Sequence, residues 1–584
     1  MITGIIERIN GSLIRATFKD KPKIGDLVEV GNLRLMGEVV RLDGQMAFIQ
    51  CFEVTDGIRP GEPVNDTGEP LMAELGPGIM GTIVDGVERS ETELWAKTGP
   101  FISRGTNVTP LNREKKWEFK PIVKKGDKVQ SGDIIGTVQE TQSFIHKIMI
   151  PPGVEGKIKL IHKGEFTVTD TIAEVETKDG EKSITMMQKW PVRGGRPVKE
   201  RLQLSVPLLT GQRVIDTFFP CAKGGAAAIP GGFGTGKTVT LQQISKWSDA
   251  DVIVLIGCGE RGNEMADVVA SFPNILDPRS GRKLIERTVI IANVSNMPVS
   301  AREASIYMGV TIGEYYRDMG YDVAVMADST SRWAEALRDI SGRLGEIPAE
   351  AGYPAYLPDR IAELYERAGR CQVLGADERL GSLTLLGAVS PQGGDFSEPV
   401  TTYTLRFIGT FWALDSALAQ RRHFPAINWL RSFTRYLEIS AEWWSQYDPD
   451  WLSNRAKAMK ILEEAAEIEE TARIIGEKAL PDEQRLILLI SELLREGFLV
   501  QAAYHEVDTY CDAPKQAKLL SVIIKFNESV QGLVKQGIPI EKIRELPIFT
   551  TMMRIKEREG TDPIDLAEIE MKRQIGALAT SYGA

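Results

Sequence analysis

Apolar and polar residues alternate with period two over the first seventy positions. Apolar runs at Ile2–Phe18, Leu27–Val30, Leu35–Leu42 and Met46–Glu53 are separated by turn signals such as Gly25-Asp26 and Asp43-Gly44. This spacing predicts short strands and tight turns, the pattern of a small β-barrel over residues 1–70. Gly76-Pro77-Gly78 and Gly86 then break the apolar runs of 71–110. Residues 111–190 return to short strands with Gly-Asp turns, as in Lys124–Val129 and Ser131–Gly136, and predict a β-rich insertion. From 191 to 435 the period changes repeatedly. Val252–Gly257, Val289–Ala292 and Val323–Ala327 are bounded β-runs, and Ala301–Met319 between them has helical spacing. Strand–helix alternation predicts a largely parallel sheet covered on both faces. Beyond 436 the β signal fades. Ala456–Glu477, Asp482–Arg495 and Ala517–Val534 are helical in period, which predicts a C-terminal helical domain over 436–584.

The expected fold class is therefore multidomain α/β. It has an N-terminal β-barrel (1–70), a parallel-sheet nucleotide domain (71–110 and 191–435), an inserted β-rich domain (111–190) and a C-terminal helical domain. The insertion resembles the hammerhead barrel of biotinyl and lipoyl carriers, but no Met-Lys-Met or Asp-Lys-Ala carrier lysine follows, which favours a scaffold.

Composition narrows the classes. At 584 residues the chain is too long for one core, and about three or four domains are expected. Apolar content of 42% with 26% charged residues suits a globular protein. No apolar run reaches the length of a membrane span, and the first residues lack a signal-peptide pattern, so an intracellular chain is expected. The net charge of −10 argues against a primary nucleic-acid role. The five cysteines contain no CxxC pair and the four histidines no metal spacing, so neither zinc nor a disulfide framework is expected.

Gly231-Gly232-Phe233-Gly234-Thr235-Gly236-Lys237-Thr238 matches GxxxxGK(S/T) without a mismatch. Glycines let successive N–H groups converge on one anion, aided by the positive end of the following helix. Lys237 is expected to reach the β/γ-phosphates and Thr238 to hold Mg²⁺. The apolar Ala226–Ile229 leads in, and Val239–Trp247 reads as a helix. GxGxxG fails here, because Lys237 occupies its last position.

Hydrolysis needs a second metal carboxylate and a group that orients water. Val323–Asp328 is an apolar strand ending in Asp, the Walker B form, about 90 residues after Lys237. In Gly257-Cys258-Gly259-Glu260-Arg261-Gly262-Asn263-Glu264, Glu260 is the candidate for orienting water. Arg261 is a candidate phosphate ligand or a brace for Glu260. Glu264 is either a partner of Arg261 or a direct participant.

Together these motifs resemble the catalytic A-subunit of archaeal A-type and vacuolar V-type rotary ATPases. GGFGTGKT, GCGERGNE, Val294–Tyr307, Met326–Leu357 and Ser390–Val400 look like that family's blocks. The resemblance implies a RecA-like nucleotide domain, with Glu260 as catalytic glutamate, Arg261 as phosphate-contacting arginine and Asp328 as the Mg²⁺ aspartate. It implies that Phe424 lies beside adenine, with Tyr504 opposite and Gln501 and Val239 near the nucleotide. Gly232 stands where many archaeal relatives carry Pro, which implies a more mobile loop. Thr235 stands where eukaryotic relatives carry Cys, which removes disulfide regulation.

The resemblance further implies that Mg-ATP and ADP are substrate and product. It implies an alternating A3B3 ring with the B-subunit, whose arginine completes each site, and central-shaft and peripheral-stalk subunits. A membrane sector moving H⁺ or Na⁺ would place the chain peripherally on the cytoplasmic face. A non-catalytic ring subunit, or a protein-export or translocase ring ATPase, is the alternative. Lys237, Glu260 and Asp328 together oppose the first, and the insertion and acidic charge oppose the second.

Overall fold

The computed structural model describes residues 3–99 and 102–582. Ile2, at the start of the first predicted strand run, lies outside them. Among the described residues the chain forms two compact units. The first comprises Met1–Gln203, Lys223–Ala226 and Ala250–Ile408, and the second Leu204–Ala222, Ala227–Asp249 and Gly409–Ala584.

The first unit begins with a closed barrel of six strands, Thr3–Asn10, Leu13–Phe18, Asp26–Val30, Leu35–Asp43, Met46–Cys51 and Pro63–Pro70. The run read as one strand to Phe18 is a hairpin, turning at Gly11 with a φ of 57°. One side chain in two points inward, so Ile6, Ile14, Phe18, Val28, Val39 and Ile49 form the barrel core.

The insertion consists of two four-stranded sheets. One contains Lys128–Val129, Gly156–Ile161, Ala173–Thr177 and Gly180–Ile184; the other contains Trp117–Pro121, Ile134–Gln139, Ile145–Met149 and Gly164–Phe166. The Gly-Asp turns work as the sequence suggests. Asp127 accepts from the Lys124 amide at 2.7 Å and Asp133 from the Gln130 amide at 2.8 Å. The insertion is fastened by buried chemistry. His146 Nδ1 lies 2.6 Å from Glu140 and its Nε2 lies 2.9 Å from the Tyr315 hydroxyl. Glu140 also accepts from the amides of Gly78 and Met80.

The core of this unit is a parallel sheet in the order Leu380–Val389, Asp322–Asp328, Val252–Glu260, Thr288–Val294, Ile83–Val84. Its middle strands are buried nearly throughout, which explains their unbroken apolar runs. Helix Val299–Asp318 packs closely on the sheet. A Cβ at Gly309 would come within 2.3 Å of Ile256, and one at Gly313 within 2.7 Å of Val325.

In the second unit, strand Ala226–Pro230 pairs in parallel with Thr410–Phe411 and leads to helix Lys237–Trp247. The helical part contains Trp451–Ile475, Asp482–Leu494, Ala513–Lys535, Pro547–Arg554 and Asp562–Ser581. Two of these start earlier than their apolar period indicates. Ala513–Lys535 begins at an Asp512 cap, whose side chain accepts from the Lys515 amide, with a proline in the first turn. No helix among the described residues is long and apolar enough to cross a membrane.

Candidate functional site

The candidate side chains fall into two groups, one in each unit. In the second unit, residues 231–238 form the turn between strand and helix. Gly234 and Gly236 have φ values of 77° and 90°, in the left-handed region that only glycine enters freely. Gly231 has no room for a side chain, since a Cβ would lie 2.5 Å from the Thr235 hydroxyl and 2.7 Å from Leu414. The Thr235 hydroxyl donates to the Gly232 carbonyl at 2.9 Å and ties the loop across its middle. Lys237 Nζ donates to the Gly231 carbonyl at 2.6 Å and reaches that of Gly232 at 3.3 Å. Its ammonium thus sits over the concave face of the loop. Phe233 and Val239 are exposed at the rim, and Thr238 is half-buried in the first turn of the helix, two residues after its Gly236 cap.

Beside this loop is a cavity of about 370 Å³, lined by Gly236, Val239, Phe424, Gln501, Ala503 and Tyr504 among others. Its wall is mostly apolar, which suits a flat heterocycle. The structure therefore brings Phe424, Gln501 and Tyr504 together with the P-loop helix, although more than 180 residues of chain separate Phe424 from Lys237. The three differ in state. Phe424 is partly exposed to the cavity, whereas Tyr504 is 91% exposed. Gln501 is buried with its amide committed: Oε1 accepts from the Arg213 amide at 2.8 Å and Nε2 donates to the Gly211 carbonyl at 2.7 Å. It builds the wall.

In the first unit, strand Val252–Glu260 runs on past the predicted end at Gly257. Gly259, with a φ of 70°, makes a bulge, and Glu260 resumes pairing opposite Val294. Asp328 ends the neighbouring strand level with Gly257. Glu260 is thereby carried beyond the sheet edge, beside Asp328 and the following helix Gly262–Ser271. Burial, then Asp328, then Glu264 push the Glu260 carboxyl up to about 7, and Arg332 opposes the rise. Glu264, in the first turn of that helix, is near enough for its charge to act on Glu260. Arg261 occupies the helix cap position and is exposed.

Arg332 is a charged neighbour of Glu260 that the motifs did not single out. It lies in the first turn of helix Thr330–Leu344, paired with Glu335 at 2.8 Å, and its charge reaches Glu260. Its nearness to the Asp328 strand end was the available signal. All five cysteines are buried and outside any disulfide. Burial holds the Cys258 thiol, two residues from Glu260, up at about 12, so it is no nucleophile.

A P-loop, an adjoining apolar base-sized cavity and an elevated carboxylate at a parallel-sheet edge define a nucleoside-triphosphate-processing ATPase. The family models agree along the chain. Residues 211–434 match the ATP synthase alpha/beta family nucleotide-binding domain, and 6–68 match its beta-barrel domain. Residues 108–193 match the barrel-sandwich domain of the alpha/beta subunit, and 440–544 the C-terminal domain of V and A type ATP synthase. The A-subunit of the A-type ATP synthase of Thermofilum pendens is 56% identical over 95% of this chain and 93% of its own. That of Thermococcus sibiricus is 53% identical over 99% of this chain and all of its own. The chain belongs to the A-subunit family of A-type ATP synthases. Its fold is also that of the assembled ATPase EscN from the enteropathogenic E. coli type III secretion system, with a TM-score of 0.65 at 21% identity, covering 89% of this chain and all of that one.

Proposed function

We propose that the chain, the catalytic subunit of a rotary A-type ATP synthase, breaks or forms the terminal phosphoanhydride of Mg-ATP in an alternating ring with the B-subunit. The observation that carries this reading is the bulged strand end that carries Glu260 past the Gly257–Asp328 level to a place where the charges of Asp328, Glu264 and Arg332 all reach it. A carboxyl titrating near neutrality can orient water and accept its proton. Residues 231–238 bind the phosphates, with Lys237 balancing the charge of the transferred group. Phe424 and Tyr504 flank the base, and Gln501 and Val239 complete its surroundings. Arg261 contacts phosphate oxygens.

Thr238 and Asp328 are the residues that would hold Mg²⁺. Hydroxyl and carboxylate oxygens are donors that this hard cation takes. Repulsion from Asp328 and Glu264, which adds to burial in raising Glu260, is what a nearby cation relieves. Among the described residues no group of three His, Cys, Asp or Glu is placed to hold a metal, in keeping with an ion bound largely by substrate phosphates and water. When bound, Mg²⁺ neutralises charge on the phosphate oxygens.

The domains divide as 1–70, 111–190, 71–110 with 191–435, and 436–584. The barrel holds the ring, the insertion meets peripheral-stalk subunits, and the helical domain bears on the central shaft. A membrane sector carries H⁺ or Na⁺, which leaves this chain peripheral on the cytoplasmic face. Co-assembled A and B subunits carrying Glu260→Gln should lose hydrolysis about 100- to 1,000-fold while still binding nucleotide. Ordinary turnover by that assembly would overturn the assignment of Glu260.

A further inference from the structure

The cavity beside the P-loop is shaped by a residue that does not line it. Arg213 is fully buried. Its Nη1 lies 2.8 Å from the Asp508 carboxylate, Nε donates to the Phe498 carbonyl at 2.6 Å, and Nη2 donates to the Val500 carbonyl at 2.8 Å. Its own amide donates to the Gln501 side chain. Phe498 and Val500 end the helical stretch that began at Asp482, where carbonyls lack partners within the helix. Arg213 supplies those partners and fixes the direction in which the chain leaves toward Ala502, Ala503 and Tyr504.

The partners of Arg213 extend the same control to both walls. Asp508 accepts from the Ala502 amide at 2.9 Å, which folds the loop back on itself. The Gln501 backbone amide donates to the Phe424 carbonyl at 2.8 Å, which ties the opposite wall to the loop. Val500 is held from a second side as well, since Lys556 Nζ donates to its carbonyl at 2.8 Å. A guanidinium suits this position because its planar fork donates to two carbonyls at once while its charge faces the Asp508 carboxylate, which a single ammonium cannot do in the same geometry.

We propose that Arg213 is the positioning residue of the base-binding loop, setting affinity for the nucleotide base from a place that does not line the base cavity. This rests on the reading of the cavity as the base site. Lysine at this position keeps a charge for Asp508 but loses the fork. The full chain with Arg213→Lys should bind MgATP about tenfold more weakly in calorimetry. Inorganic tripolyphosphate, which has no base, should bind it as it binds the parent chain. Equal weakening of both ligands, or no change in either, would overturn the proposal. If Arg213→Lys does not fold, Asp508→Asn serves in its place. It should weaken MgATP about threefold and leave tripolyphosphate unchanged, with the same two outcomes counting against the role. Phe424→Ala separates the two readings. If it leaves MgATP affinity unchanged, the base-site reading itself fails. If it weakens MgATP while Arg213→Lys does not, the role of Arg213 alone fails.

Discussion

His423 and Phe424 are neighbours in the chain with opposite demands. Phe424 faces the cavity, and Phe424→Ala should raise the KM for ATP about tenfold through lost stacking, with a smaller change in kcat; a steady-state titration reads this directly. His423 is buried, and burial, with Arg495 and Lys556 adding to it, lowers its pKa to about 4. The unfolded chain therefore binds a proton at His423 between about pH 6.5 and 4 that the folded chain does not. Its contribution to stability is present above that window and lost as the pH falls through it. Replacing His423 by Gln should flatten the fall in denaturant midpoint between pH 7 and pH 5, and an unchanged slope would count against it. At this scale the P-loop was legible because all its constraints lie within eight consecutive residues. Arg332 was not, because its reach to Glu260 depends on how a helix leaves the end of a neighbouring strand.

Elements are held to one another by buried charge as well as apolar packing. Glu314, on helix Val299–Asp318, receives Arg367 through Nε at 3.0 Å and Nη2 at 2.6 Å, together with the Arg196 amide at 3.0 Å. Arg367 also donates to the Val192 carbonyl and the Thr311 hydroxyl. Arg367→Met should destabilise the first unit by about 3 kcal/mol, because it takes from buried Glu314 its two guanidinium hydrogen bonds and leaves it the Arg196 amide and the more distant Arg317 at 3.9 Å. Adding Glu314→Met should recover much of that loss, and denaturant unfolding of the two variants measures both. Element type and order followed from apolar period, since strands buried on both faces read as unbroken runs and surface helices as stripes. The ends were less legible. Glycines at 257 and 259 look like a loop, yet the strand continues to Glu260 because a bulge restores its pairing with Val294. Asp512 and the proline after it moved the start of a helix that periodicity placed at Ala517.

For the whole molecule, the proposed alternating ring requires a neighbouring subunit to complete each site. The purified chain should hydrolyse ATP slowly, and adding the B-subunit should raise the rate by roughly 10³–10⁵, the range of an arginine finger. Full turnover by the purified chain would overturn that expectation. By itself the sequence determined the phosphate-binding loop, the apolar strand ending in Asp328, the choice of Glu260 as a candidate, and the order of barrel, insertion, parallel sheet and helices. Each of these is written in residues close together in the chain, through local backbone freedom or a repeating apolar period. Only the tertiary structure decided that Phe424 and residues 500–504 share one cavity, that Arg213 braces it, and that burial, with Asp328 and Glu264 adding to it, lifts Glu260 to about 7. Those properties arise from burial and from distances between remote segments, which no local pattern of residues records.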